Sequence, residues 1–108
     1  MDKNIPFIDK IISLIVSIAA PDQIILFGSY ARGDNKEKSD IDLLILKKGL
    51  KGGSKIIDSI YRAFYENKIG VPVDLLTMDY DRYLELNNEI GYVYKTIKEQ
   101  GKVIYGTL

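Results

Sequence analysis

Apolar residues recur along this chain at two different spacings. Ile8, Ile11, Ile12, Ile15, Ile18 and Ala19 fall at helical intervals, with Asp9, Lys10, Ser13 and Ser17 between them. That pattern predicts an amphipathic, buried helix from Pro6 to about Ala20. Proline is tolerated in a first turn, and Pro21-Asp22 closes the segment. Gln23 to Phe27 is a short apolar run, read as a first strand. Gly28 and Ser29 then turn the chain into a short helix, Tyr30-Ala31-Arg32, which Gly33-Asp34-Asn35 ends. Lys36-Glu37-Lys38 reads as a solvated loop. Ile41 to Leu46 is apolar without interruption, as in a central strand covered on both faces. A turn with three glycines, Lys47 to Gly53, leads to a helix over Ser54–Asn67 with Ile56, Ile57, Ile60, Ala63 and Phe64 on its inner face. Gly70 and Pro72 accompany a third strand, Val71 to Thr77. A helical stretch opens at the polar Asp79 and runs to about Asn87, and another covers Glu89 to Gln100. Gly101 stops it before a last short strand, Lys102 to Tyr105.

Helices thus alternate with strands, which predicts an α/β fold: a small mixed β-sheet packed with helices. A length of 108 residues matches one domain spanning 1–108. Fifteen basic and fifteen acidic residues cancel, so the footprint of a nucleic-acid binder is missing and no direct nucleic-acid binding is expected. Without cysteine there is neither a disulfide framework nor a thiolate zinc site. Without histidine, Ser-His-Asp catalysis is excluded, leaving carboxylates as the acid-base and metal groups. Asp2 and Asp9 flank Lys3 and Lys10, unlike the basic start of a signal peptide, and the apolar segment is short for a membrane span. No membrane attachment and a cytoplasmic location are expected.

The candidate chemistry lies between residues 28 and 45. Asp40 and Asp42 stand two apart at the mouth of the apolar run, so their side chains project to one side. Aspartate is depleted in strands, and two like charges on one face repel unless a cation lies between them. Oxygen-only donors at this spacing suit Mg²⁺, which binds through one or two carboxylates plus substrate phosphates. Gly28-Ser29 would bring backbone N–H groups to those phosphates. Arg32 either balances phosphate charge or pairs with Asp34 or Glu37 on the surface. Gly33 only ends the short helix. Asp74 is a second charge inside an apolar strand, sharing its side with Pro72 and Leu76, and is the candidate third carboxylate. Asp79 and Asp81 are its rivals, but they sit where aspartate caps a helix.

The pattern GSYARG followed by SDIDLLI resembles the signature of the DNA polymerase beta-like nucleotidyltransferases, GS-x-x-x-G then D-x-D. It is most similar to the minimal nucleotidyltransferases, or MNT domains. This resemblance implies ATP and Mg²⁺, two ions, held at Gly28, Ser29, Asp40 and Asp42, with Asp74 as a third metal-binding and catalytic carboxylate. It implies transfer of the α-phosphate with its nucleoside rather than of the γ-phosphate. No Walker lysine follows the glycine turn, and protein-kinase signatures are missing as well. Larger relatives carry an added helical domain for the acceptor, for which 108 residues leave no room. The resemblance implies instead a small helical HEPN protein as partner, with AMP moved onto its tyrosine in a toxin–antitoxin pair.

Eight tyrosines are many for this length. Tyr80, Tyr83, Tyr92 and Tyr94 cluster near the C-terminus, where a partner surface is one reading and the rim of a small core the other. Two further functions stay open: a module that neutralises its partner by contact alone, and a stand-alone transferase acting on a small hydroxylated substrate.

Overall fold

The structure, a computed structural model, describes residues 5–106; Asp2 and Lys3 lie outside them. In chain order the elements are α1 (Ile8–Ala19), β1 (Gln23–Phe27), α2 (Ser29–Arg32), β2 (Ile41–Lys47), α3 (Gly53–Glu66), β3 (Val73–Asp79), α4 (Tyr80–Leu86), α5 (Val93–Gln100) and β4 (Lys102–Gly106). The strands form one mixed sheet in the order β3-β2-β1-β4. β1 runs antiparallel to β2 and β4, whereas β2 and β3 are parallel. A parallel pair needs a crossover, and α3 supplies it.

Alternation along β2 divides the core. Ile41, Leu43 and Ile45 join Ile24 and Leu26 beneath α1 and α3, where Ile11, Ile15, Ile60 and Phe64 are buried against them. Leu44 and Leu46 face the other way and pack with Ile25, Tyr83 of α4 and Ile97 of α5. The uninterrupted apolar run therefore does belong to an interior strand with both faces covered, and the expected α/β class holds. Among the described residues no helix is long and apolar enough to cross a membrane.

Four boundaries depart from the sequence reading. Phe7 takes a left-handed conformation, with φ of 61°, so α1 begins at Ile8 rather than Pro6. Ile18 lies at the margin of the apolar stripe and is exposed. β3 starts two residues later than Val71 and continues to Asp79, because the ladder with β2 pairs Val73 through Asp79. The last helix begins at Val93 instead of Glu89; Gly91 has φ of 96°, which an α-helix does not accept, and it keeps the preceding residues in turns. Asp79 caps α4 as expected for a polar start: its carboxylate accepts from the Arg82 N–H at 3.0 Å and the Gly49 N–H at 2.7 Å. Those bonds hold its pKa below the ordinary value.

Candidate active site

The parallel register places Asp42 of β2 directly beside Asp74 of β3, while the antiparallel register places Phe27, the last residue of β1, on its other flank. Cross-strand partners share a face of the sheet, so both carboxyls stand on the side covered by α4 and α5. Asp42 is half-buried, and Asp40, just before the strand, is exposed. Burial first, then the charges of Asp74 and Asp40 and a hydrogen bond with the Asp74 carboxyl, push the Asp42 pKa up from 3.8 to about 6, against a smaller lowering by Arg32. Three acids thus crowd one strand end.

Asp74 is exposed, and Leu76 two residues on is 40% exposed. The expectation that Asp74 faces apolar neighbours is therefore corrected: its face is open, and it is the Asp42 carboxyl that it meets. Tyr61 of α3 braces the strand here. Its hydroxyl donates to the Val73 carbonyl at 2.9 Å and accepts from the Leu75 N–H at 3.1 Å, so the backbone on both sides of Asp74 is tied.

Gly28 is required by Asp42 rather than by distance to a ligand alone. It adopts φ of 74°, and a Cβ placed on it would overlap Asp42 Oδ2 and stand 3.0 Å from Asp42 Cγ. Only glycine leaves that carboxyl room. Ser29 opens α2, whose first turn is closed by the Ala31 and Arg32 N–H groups donating to the Gly28 carbonyl at 3.1 Å. Gly33 ends it in the left-handed conformation, as anticipated. Arg32 makes the surface pairing and also borders a cleft. Its Nε contacts Asp34 at 3.2 Å on the surface, and the residue also lines a cleft with Gly28, Ser29, Asp40 and Asp42.

That cleft has a volume of about 450 Å³, within the range of small-molecule sites. Its far wall is the face of α5 carrying Val93, Thr96, Ile97 and Gln100, which the sequence reading missed. The signal was present: Val93, Thr96, Ile97 and Gln100 lie at i, i+3, i+4 and i+7. Two of the four are polar, and a mixed face of this kind does not by itself mark a site. Ser39 also lines the cleft.

The donor set suits a hard cation. Among the described residues no group of three or more acidic side chains forms a ready-made metal cage. Mg²⁺, however, needs only one or two carboxylates and takes its remaining ligands from water and phosphate. The carboxyl pair Asp42–Asp74, where burial first and the neighbouring charges second raise the Asp42 pKa, meets that need. Of the four clustered tyrosines, Tyr83 is buried and Tyr80 half-buried beneath Lys48, whose Nζ is 5.8 Å from the ring centroid. Tyr92 is the exposed member, stacked on Tyr94 at 6.5 Å.

Known proteins resemble this chain in sequence and fold. A family model described as a nucleotidyltransferase domain matches residues 8–104. A Methanocaldococcus jannaschii protein provisionally named a protein adenylyltransferase is 36% identical over 84 residues, covering 77% of each chain. A second protein of that organism, provisionally named in the same way, is 36% identical over 78 residues, covering 70% of this chain and 69% of its own. In a toxin–antitoxin crystal structure with AMP-PNP, one chain is similar in fold with a TM-score of 0.61 and 24% identity, over 92% of this chain and 73% of that one. A variant of the MntA–HpeT toxin–antitoxin matches with a TM-score of 0.59 and 26% identity, over 92% and 72%. The domain match over nearly the whole chain places this protein in the nucleotidyltransferase domain family, as an enzyme of nucleotidyl transfer.

Proposed function

We propose that the protein transfers AMP from ATP to a tyrosine hydroxyl of a HEPN-type helical partner in the cytoplasm, in a Mg²⁺-dependent reaction, and so acts as an antitoxin. The observation that carries this reading is the side-by-side pair Asp42–Asp74, with Asp42 packed against Gly28 in the lining of the cleft. Gly28, Ser29 and Arg32 bind the triphosphate, with Arg32 offsetting its charge. Asp40, Asp42 and Asp74 are the residues that would hold the metal, which would supply charge neutralisation at the triphosphate and polarisation of the attacking hydroxyl. Asp74 is exposed at the open side of the pair, where an acceptor from another chain can reach it. It takes the hydroxyl proton as the oxygen attacks the α-phosphorus. The new bond is O–Pα, the bond broken joins Pα to the bridging oxygen, and pyrophosphate leaves.

Three observations support a protein acceptor. The relatives are provisionally named protein adenylyltransferases. The similar solved structures are toxin–antitoxin complexes. The surface also carries exposed apolar residues, Leu76, Ile90, Tyr92 and the cleft-lining Val93, of the kind that a partner covers. Incubating the chain with the product of the neighbouring gene and labelled ATP tests the proposal. Label from α-³²P ATP should appear on a partner tyrosine, and label from γ-³²P ATP should leave as pyrophosphate. Asp74→Ala should abolish transfer while only weakening nucleotide binding. Transfer of the γ label, or full activity in Asp74→Ala, would overturn it.

A further inference from the structure

The cleft is lined by two kinds of chemistry. Gly28, Ser29, Arg32, Asp40 and Asp42 come from the glycine turn and the start of β2, and Val93, Thr96, Ile97 and Gln100 come from α5, with Phe27 also in the lining. Helix α5 does carry charges, but they are engaged elsewhere. Lys95 Nζ lies 3.6 Å from Glu99 Oε1, and Lys98 Nζ donates to Asn88 Oδ1 at 2.7 Å. The groups α5 gives to the cleft are one hydroxyl, one carboxamide and two aliphatic side chains. Such a wall has nothing to attract phosphate. It matches a flat, neutral, hydrogen-bonding heterocycle.

We infer that α5 is the nucleoside wall of the cleft and that Gln100 selects the base, favouring adenine, with Thr96 as a second hydrogen-bonding group. This rests on the nucleotidyl-transfer reading above and adds the donor specificity to it. A carboxamide offers one acceptor and one donor side by side. Adenine presents a donor next to an acceptor on both of its hydrogen-bonding edges, N6–H with N7 or with N1. Guanine does so on only one, since its O6 and N7 are both acceptors. Phe27, Val93 and Ile97 supply the apolar surface against which the ring lies. Gly101 sets the wall's distance from the sheet: a Cβ there would come within 2.7 Å of Ile25 Cγ2 and 3.2 Å of the Leu26 carbonyl oxygen. The end of α5 that bears Gln100 is thereby held close against β1.

Calorimetric titration of the full chain with ATP, GTP and inorganic tripolyphosphate, in buffer containing Mg²⁺, tests the inference. The wild type should bind ATP about tenfold or more tightly than GTP. In Gln100→Glu the carboxylate only accepts and suits the adjacent N1–H and N2–H donors of guanine. The ATP-to-GTP affinity ratio should then fall by about tenfold or more, while any loss common to all ligands shows in the tripolyphosphate arm. Gln100→Ala should lower the ratio without a change in tripolyphosphate affinity. Because Gln100 is exposed, the melting temperature of both variants should match the wild type. An unchanged ratio in both variants, with ATP still bound, would overturn the base assignment alone. Failure of the wild type to bind any nucleotide would overturn the transferase reading with it.

Discussion

Burial and the neighbouring acids push the Asp42 pKa from 3.8 to about 6, so between those values the folded protein holds a proton there that the unfolded chain releases. Between those two values the native state binds more protons than the unfolded state, so rising pH lowers stability across that window, and above it the full penalty remains. Metal-free protein should therefore gain in melting temperature from Asp42→Asn at pH 7.5 much more than at pH 4.5. A gain independent of pH would show that the Asp42 pKa is not raised by its burial and its acidic neighbours. Tyr61 makes a second prediction at this scale. Tyr61→Phe keeps the edge-to-face contact with Phe64, whose ring centroid is 6.2 Å away, but leaves the Val73 carbonyl and Leu75 N–H without their partner. That should cost about 1–2 kcal/mol, read as a lower denaturation midpoint, and it should raise self-association because the free edge of β3 is uncovered. An unaltered midpoint would mean that solvent replaces the hydroxyl fully. Asp40, Asp42 and Gly28 were legible in the sequence because they are close in the chain and chemically odd where they stand. The role of Tyr61 was not, because no local pattern links it to a strand more than ten residues later.

Among the elements, β2 and α3 were legible from periodicity alone, because each buries a face whose spacing is dictated by the backbone. The helix starts that moved did so at Phe7 and Gly91, where the conformation turns left-handed, and β3 moved with its ladder to β2. Glycine signals that freedom but does not compel it, and at phenylalanine nothing in the local sequence signals it. Asp74 was found for a reason that only partly held: a charge within an apolar strand did mark the site, yet its face proved open. Helix α5 was read as a helix but not as a wall, since its apposition to the Gly28 turn exists only once β4 has returned it to the sheet. Gly101 is the joint that makes this possible. Gly101→Ala should place a methyl group against the Ile97 carbonyl oxygen and Ile25, with neither able to yield fully. A destabilisation of about 1–3 kcal/mol is expected, accompanied by weaker nucleotide binding. Gln100→Glu, by contrast, should alter binding and leave unfolding unchanged. Equal stability of Gly101→Ala and wild type would show that α5 is not pinned there.

At the scale of the whole molecule the two helical layers differ. Beneath α1 and α3 lies the larger core, with Ile11, Ile15, Ile24, Ile41, Leu43 and Ile60 fully buried. Over the other face, α5 buries only Ile97, and α4 buries Tyr83 and Leu86. Amides with few buried contacts open first. Hydrogen exchange should accordingly show α4 and α5 opening well before β1, β2 and α1; uniform protection across the two layers would contradict it. The carboxylates belong to the tightly held sheet and the base-facing residues to the loosely held helix. Substitutions at the exposed Thr96 and Gln100 of α5 disturb little else, whereas a change at Gly28 or Asp42 disturbs the chemistry itself. Descendants of this chain can therefore exchange one donor nucleotide for another by drift in a single short helix, and inherit the reaction unchanged.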